Sequence, residues 1–133
     1  MRSTRYRVTF DGGSSGNPGP GYGSYQITRG DRDVLEQVTF DLGPITNNEA
    51  EYLTLIQALH RLRDNTRPEQ RSEASVEIVG DSQLVLNQVF GTWSVNKSTL
   101  AALRDAARSL MEEFGDVSHR WVPRADIVAI FGH

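Results

Sequence analysis

The sequence predicts an α/β fold. It is a five-stranded mixed sheet, with three antiparallel strands followed by two parallel strands reached through helical crossovers, flanked by helices. Three observations lead there. Three β-rich runs come first, joined by short turns, as in an antiparallel meander. The apolar period then switches from two to that of a helix. Two further β-rich runs follow, each set off by helical stretches, which implies parallel pairing through right-handed crossovers.

Met1 to Thr4 read as a frayed lead-in. The first strand spans Arg5 to Asp11, with Tyr6-Arg-Val-Thr-Phe10 alternating in polarity. Glycines and prolines from Gly12 to Gly21 then force a tight loop. The second strand is Gly23 to Thr28, and Arg29 to Asp33 turn about Gly30. The third is Val34 to Leu42, with Leu35 and Gln37 on one face and Val38 and Phe40 on the other. From Asn48 to Arg63, Tyr52, Leu55, Ile56, Leu59 and Leu62 fall at helical spacing. Thr46, Asn47 and Asn48 are its candidate N-caps, and Glu49 and Glu51 complement its dipole. Asp64 to Ser72, with Pro68, is a connector. Val76 to Gly80 is the fourth strand, leading into a helix from Ser82 to Phe90 that Gly91 stops. Trp93 to Lys97 is a link. Ser98 caps a helix carrying Leu100, Leu103, Ala107, Leu110 and Phe114, closed by Gly115. Val117 to Val122 is the fifth strand, ended by Pro123, and Arg124 to His133 is a short apolar stub.

The 133 residues fit one domain, 1–133, able to bury roughly two-thirds of its unfolded surface. No repeat, low-complexity segment or linker interrupts it. The absence of cysteine excludes a disulfide framework and a zinc-thiolate site. No apolar run reaches membrane-spanning length and the N-terminus lacks a signal-peptide core, so a cytoplasmic enzyme or binding module with no membrane partner is expected. A net charge of -3 argues against purely electrostatic binding of nucleic acid. It leaves room for a nuclease that grips phosphates through bound cations.

The first and fourth strands, as parallel neighbours, place Asp11 and Asp81 side by side at their C-terminal ends, where open α/β sheets form sites. Glu51, in the first turn of the helix that packs across, points toward the pair. Three carboxylates with no obvious cationic partner repel one another. Hard divalent cations with oxygen ligands relieve that repulsion, and two of them suit an in-line phosphoryl displacement. Taken singly, each residue has a plainer reading. Glu51 is a helix-start acid, Asp81 a cap, Asn17 before Pro18 a turn residue, Trp93 a core anchor, and His60 and His119 surface or partner-bonded side chains.

Together the motifs resemble the type 1 ribonuclease H family, in the subgroup without the basic protrusion. Asp11-Gly-Gly-Ser-Ser-Gly-Asn17-Pro-Gly is similar to its first motif, Thr46-Asn-Asn-Glu-Ala-Glu51-Tyr-Leu to its second and Gly80-Asp81-Ser-Gln83-Leu-Val to its third. The resemblance spans about residues 5–124 and implies a ribonuclease H-like fold. It implies an endonuclease that hydrolyses the RNA strand of RNA/DNA hybrids, leaving 5′-phosphate and 3′-hydroxyl ends. It also implies two Mg²⁺ ions (Mn²⁺ as a substitute) held with substrate by Asp11, Glu51, Asp81 and Asp126. Asn17, Asn48 and Gln83 match the family's minor-groove readers, each offering donor and acceptor to a 2′-hydroxyl. Backbone amides around Gly12 to Gly16, Gly12 and Gly13 among them, are expected to contact sugar and phosphate, Thr46 and Asn47 a DNA-strand phosphate, and Trp93, followed by Asn96 and Lys97, the DNA backbone. The expected form is a monomer.

The fourth motif departs from the family pattern. Val122-Pro-Arg124 runs straight into Ala125-Asp126-Ile-Val-Ala129 without the usual polar loop, and the helix that follows is cut to Ile130-Phe-Gly-His133. His133 follows the aspartate and is not assigned the role of the histidine some members carry in that loop. The shortened end motivates an alternative, a catalytically impaired module that binds RNA/DNA hybrids. Another nuclease or transferase on the same fold is a further rival, against which Asn17, Asn48 and Gln83 argue.

Overall fold

The computed structural model describes residues 4–91 and 93–133. Strands β1 (Arg5–Ser14), β2 (Gly19–Arg29), β3 (Asp33–Ile45), β4 (Ser75–Gly80) and β5 (Asp116–Trp121) form one sheet in the order β3-β2-β1-β4-β5. β1 pairs antiparallel with β2 and parallel with β4. β2–β3 is antiparallel and β4–β5 parallel. This is the mixed sheet expected from the sequence, with β1 at its centre. Of the lead-in, only Thr4 falls within the described residues, and it is already tied down, its carbonyl accepting from Ser75 N at 2.9 Å.

The glycine-rich segment is mostly strand rather than loop. Gly12 pairs with Gly23, Gly13 with Tyr22 and Ser14 with Gly21, so only residues 15–18 turn. Sequence patterning missed this because glycines break the apolar alternation that marks a strand, while neighbouring backbone still supplies the ladder.

Helix α1 (Asn47–Asp64) starts at Thr46, whose hydroxyl accepts from Glu49 N while Glu49 accepts from Thr46 N, a reciprocal capping box. Its buried face, Tyr52, Leu55, Ala58, Leu59 and Leu62, packs on Val8 and Phe10 of β1, Tyr25 and Ile27 of β2 and Ile78 of β4. Ile56, read as part of that face, is only partly buried. The connector contains a one-turn helix α2 (Pro68–Arg71), because proline at the first position presets its φ. Helix α3 (Gln83–Val89) is capped by Ser82. Helix α4 (Ser98–Met111) is preceded by Lys97 as N-cap, with no side-chain cap bond, so Ser98 is its first residue and not its cap. It ends before Phe114, which is still buried in the core, and Gly115 N instead donates to Arg71 O.

The expected stub is a helix, α5 (Arg124–Phe131). Pro123 sets its entry and Gly132, at φ 83°, closes it through a bond to Val128 O. Its fully buried Ile127 joins Val79 and Val122, with Phe131 packed alongside. Since Ile78 belongs to the main core, strand alternation puts Val79 and α5 on the opposite face of the sheet. No described helix is long and apolar enough to cross a membrane.

The approach of α1 to β1 is the tightest packing constraint on the site. A Cβ at Gly12 would lie 2.7 Å from Ala50 C and O and from Glu51 N. Gly30, at φ +64°, has open space around it. In denaturant melts, Gly12→Ala should therefore cost about 1–3 kcal/mol, since helix backbone must move, whereas Gly30→Ala should cost only about 1 kcal/mol from its left-handed backbone.

Candidate active site

The parallel register of β1 on β4 sets Thr9 opposite Val79. Two residues further on, Asp11 and Asp81 come level, past the end of the paired segment. The backbone contact at Gly12 lays the first turns of α1 on the residue after Asp11 and brings Glu51 in from above. Asp11, Glu51 and Asp81 thus line one cleft of about 300 Å³, together with Gly12, Gly13, Tyr22, Asn47 and Arg124. Asp11 is 1% exposed and Glu51 8%.

The expectation that these acids lack a cationic partner is overturned. Arg124 Nη1 donates to Asp11 Oδ1 at 2.8 Å and to Asp81 Oδ2 at 3.2 Å. Arg124 is the first residue of α5, directly after its N-cap Pro123, and from there it reaches both acids. Asp126, two residues later, is exposed and makes no ion pair or hydrogen bond with the other three acids among the described residues.

Other contributors carried no sequence signal. Tyr22 OH donates to Asp11 Oδ2 at 3.1 Å. His133, set aside on the basis of chain order, folds back. Its Nε2 lies 2.9 Å from Ser24 Oγ and 3.8 Å from Asp11 Oδ2, and its ring meets Tyr22 edge-on. Trp121 Nε1 donates to Asp81 O at 3.1 Å. The pairing of Asp11 with Ser24 across β1–β2 was available in principle, but only with the strands extended through the glycines.

Burial dominates the electrostatics. It pushes Glu51 up to about 7, hydrogen bonding from Ser82 opposes it, and the charges of Asp81 and Asp11 add to it. Asp11 is also raised, by burial first, with Arg124 pulling down and Asp81 pushing up. Burial works against the charge of Arg124, yet Tyr22 and the two carboxylates raise its pKa further still.

Of the remaining expected residues, Gly12, Gly13 and Asn47 line this cleft, and the others differ in their surroundings. Gly12 and Gly13 are buried in its floor. Asn17 Oδ1 accepts from Asn47 N at 3.1 Å, tying the β1–β2 turn to the start of α1. Asn47 Nδ2 donates weakly to Glu51 Oε1 at 3.5 Å. Thr46 is engaged in its capping box, Asn48 is half-buried in the first turn, and Gln83 is exposed as the first residue of α3. Trp93, 47% exposed, is no core anchor. Lys97 is exposed beside α4 and its charge acts on Glu49. His119 stacks on Phe90 and His60 is exposed, as anticipated.

A family model described as reverse transcriptase-like matches residues 10–130. The chain is 39% identical over 124 residues to ribonuclease HI of Halobacterium salinarum, covering 93% of this chain and 59% of that protein. It is 40% identical over 119 residues to the bifunctional protein Rv2228c of Mycobacterium tuberculosis, of which it spans 31%. The crystal structure of the Halobacterium salinarum RNase H1 superposes with a TM-score of 0.82 at 38% identity, over 92% of this chain and 88% of that one. LC11-RNase H1 in complex with an RNA/DNA hybrid superposes with a TM-score of 0.80 at 29% identity, over 91% and 87% of the two chains. Five strands in the order β3-β2-β1-β4-β5, three acids at one sheet end and these likenesses agree: the chain belongs to the type 1 ribonuclease H family.

Proposed function

We propose that the chain is a metal-dependent endonuclease that hydrolyses the RNA strand of RNA/DNA hybrids. The observation that carries this reading is the convergence of Asp11, Glu51 and Asp81, from three separate elements, on one cleft. LC11-RNase H1, similar over most of its length, is known bound to such a hybrid.

The donor set fits a hard divalent cation. It consists of carboxylate oxygens, it already draws a positive charge between two of its members, and it has no soft ligand. Among the described residues no three acids already stand as a ready-made cage, so the carboxylates would have to close around the ion. Asp11, Glu51 and Asp81 would hold Mg²⁺ or Mn²⁺, two ions with substrate; Asp126, exposed and not among the residues lining the cleft, would join them only from a changed position. When bound, such ions supply an activated water and stabilise the leaving oxygen. The chain's own polar groups do the reading. Asn17, Asn48 and Gln83 sit on the turn, the first turn of α1 and the start of α3, and each can both donate to and accept from a ribose 2′-hydroxyl. Asn17 and Asn47 hold the turn and the helix start in fixed relation, so the readers keep their spacing to the acids.

The raised pKa of Glu51 has a stability consequence. Its ordinary value is 4.5 and its folded value about 7, so between these the native state binds more protons than the unfolded chain. The stabilisation is complete below the unfolded value and is lost as pH rises through about 7. Asp11, raised as well, adds the same sign.

Cleavage of an RNA/DNA hybrid with Mg²⁺ should fall by roughly 100-fold or more in Asp11→Asn and Glu51→Gln. Asp126→Asn should lose less than either. Parental rates in both core variants would refute the assignment, and tight hybrid binding without cleavage by the parent at any Mg²⁺ or Mn²⁺ concentration would favour the impaired-module reading. In chelator, denaturant melts of the parent should show stability dropping by roughly 3 kcal/mol from pH 4.5 to pH 8 through this group. Glu51→Gln should flatten that slope.

A further inference from the structure

The guanidinium of Arg124 makes bonds that a divalent ion would need to make. It takes Asp11 Oδ1 and Asp81 Oδ2 with a single nitrogen. Asp11 is 1% exposed, and an ionised carboxylate that deep requires a compensating charge. Arg124 supplies it from a side chain that is half in solvent. The helix carrying it is held by other groups. Ile127 and Phe131 pack on Val79 and Val122, and Gln37 Nε2 donates to Ile130 O. The arginine side chain can therefore rotate outward while α5 stays docked.

From this geometry we propose that Arg124 is a built-in counter-ion that holds the carboxylates together and must be displaced for a divalent cation to bind. The inference rests on the cation site proposed above. Two positive groups cannot share Asp11 Oδ1 and Asp81 Oδ2 at contact distance, because like charges in a half-buried cleft repel strongly. The arginine therefore sets a threshold. At low cation concentration it occupies the acids and suppresses their mutual repulsion. At higher concentration a doubly charged ion outcompetes it. By linkage, whatever free energy Arg124 contributes to the chelated protein is subtracted from the apparent affinity for the ion.

The test compares parent, Arg124→Gln and Arg124→Lys by Mn²⁺ titration calorimetry and by thermal melts in chelator and in saturating Mn²⁺. Arg124→Gln should bind Mn²⁺ about fivefold more tightly, the scale expected when a partly exposed ion pair no longer has to be broken. It should melt lower than the parent in chelator, and the gap should close when Mn²⁺ is saturating. Arg124→Lys keeps the charge without the planar fork, stays folded, and should fall between the two. Unchanged or weaker Mn²⁺ binding in both variants, with the parent binding Mn²⁺ normally, overturns the counter-ion role and leaves the proposed function standing. Failure of the parent itself to bind Mn²⁺ overturns the metal reading and this inference with it.

Discussion

Keeping an acid ionised inside a packed protein is the constraint on which the rest of this structure depends. Asp11 sits on the central strand, beneath the first turns of α1, where water can barely reach it. Such a group is tolerable only with a positive partner and hydrogen-bond donors nearby. Arg124 provides the charge and Tyr22 the neutral donor. Asp81, half-buried at the end of β4, adds a second negative charge and so increases the demand for a cation. The fold presents a concentrated negative potential and the means to offset it, and that is a setting suited to phosphate chemistry assisted by metal ions.

The same crowding makes the site rigid. β1 is paired on both sides, antiparallel on one and parallel on the other. α1 lies so close at Gly12 that no side chain fits between them. Glu51 is therefore placed by backbone packing and not by a flexible loop, and Asn17 clips the turn after β1 to the start of the same helix. Burial at that fixed spot raises the affinity of Glu51 for a proton, because water is excluded there and neighbouring acids are near.

Much of this was legible in the sequence, for physical reasons. Period changes located α1 and the order of strands. Parallel pairing of the first and fourth strands was enough to put Asp11 beside Asp81, and three motifs in order identified the family resemblance. What stayed hidden was of two kinds. Glycine runs carry no polarity alternation, so the extension of β1 and β2 through Gly12, Gly13 and Gly21 left no trace. Long-range side-chain partners were the other kind. Arg124 was visible within its Val-Pro-Arg context, yet nothing local says that it bridges acids 113 and 43 positions away. Charge balance is the signal that points to it, since three clustered acids demand a cation and this arginine follows the end of β5, the strand beside β4. Asp126, matched by local context, proved exposed, while Arg124, two residues earlier on the same helix, is the one that meets the acids.

The two faces of the sheet differ in how firmly they are held. Above lies the large core beneath α1 and α4; below, α5 rests on a patch of Val79, Val122, Ile127 and Phe131. Cooperative units of unequal size open at unequal free energies. The acids therefore belong to the larger packed unit, while the arginine that bonds them is carried by a helix with the smaller apolar anchor. Local opening of so small a unit would take Arg124 away from Asp11 and Asp81 and leave the pairing of β1 with β4 untouched.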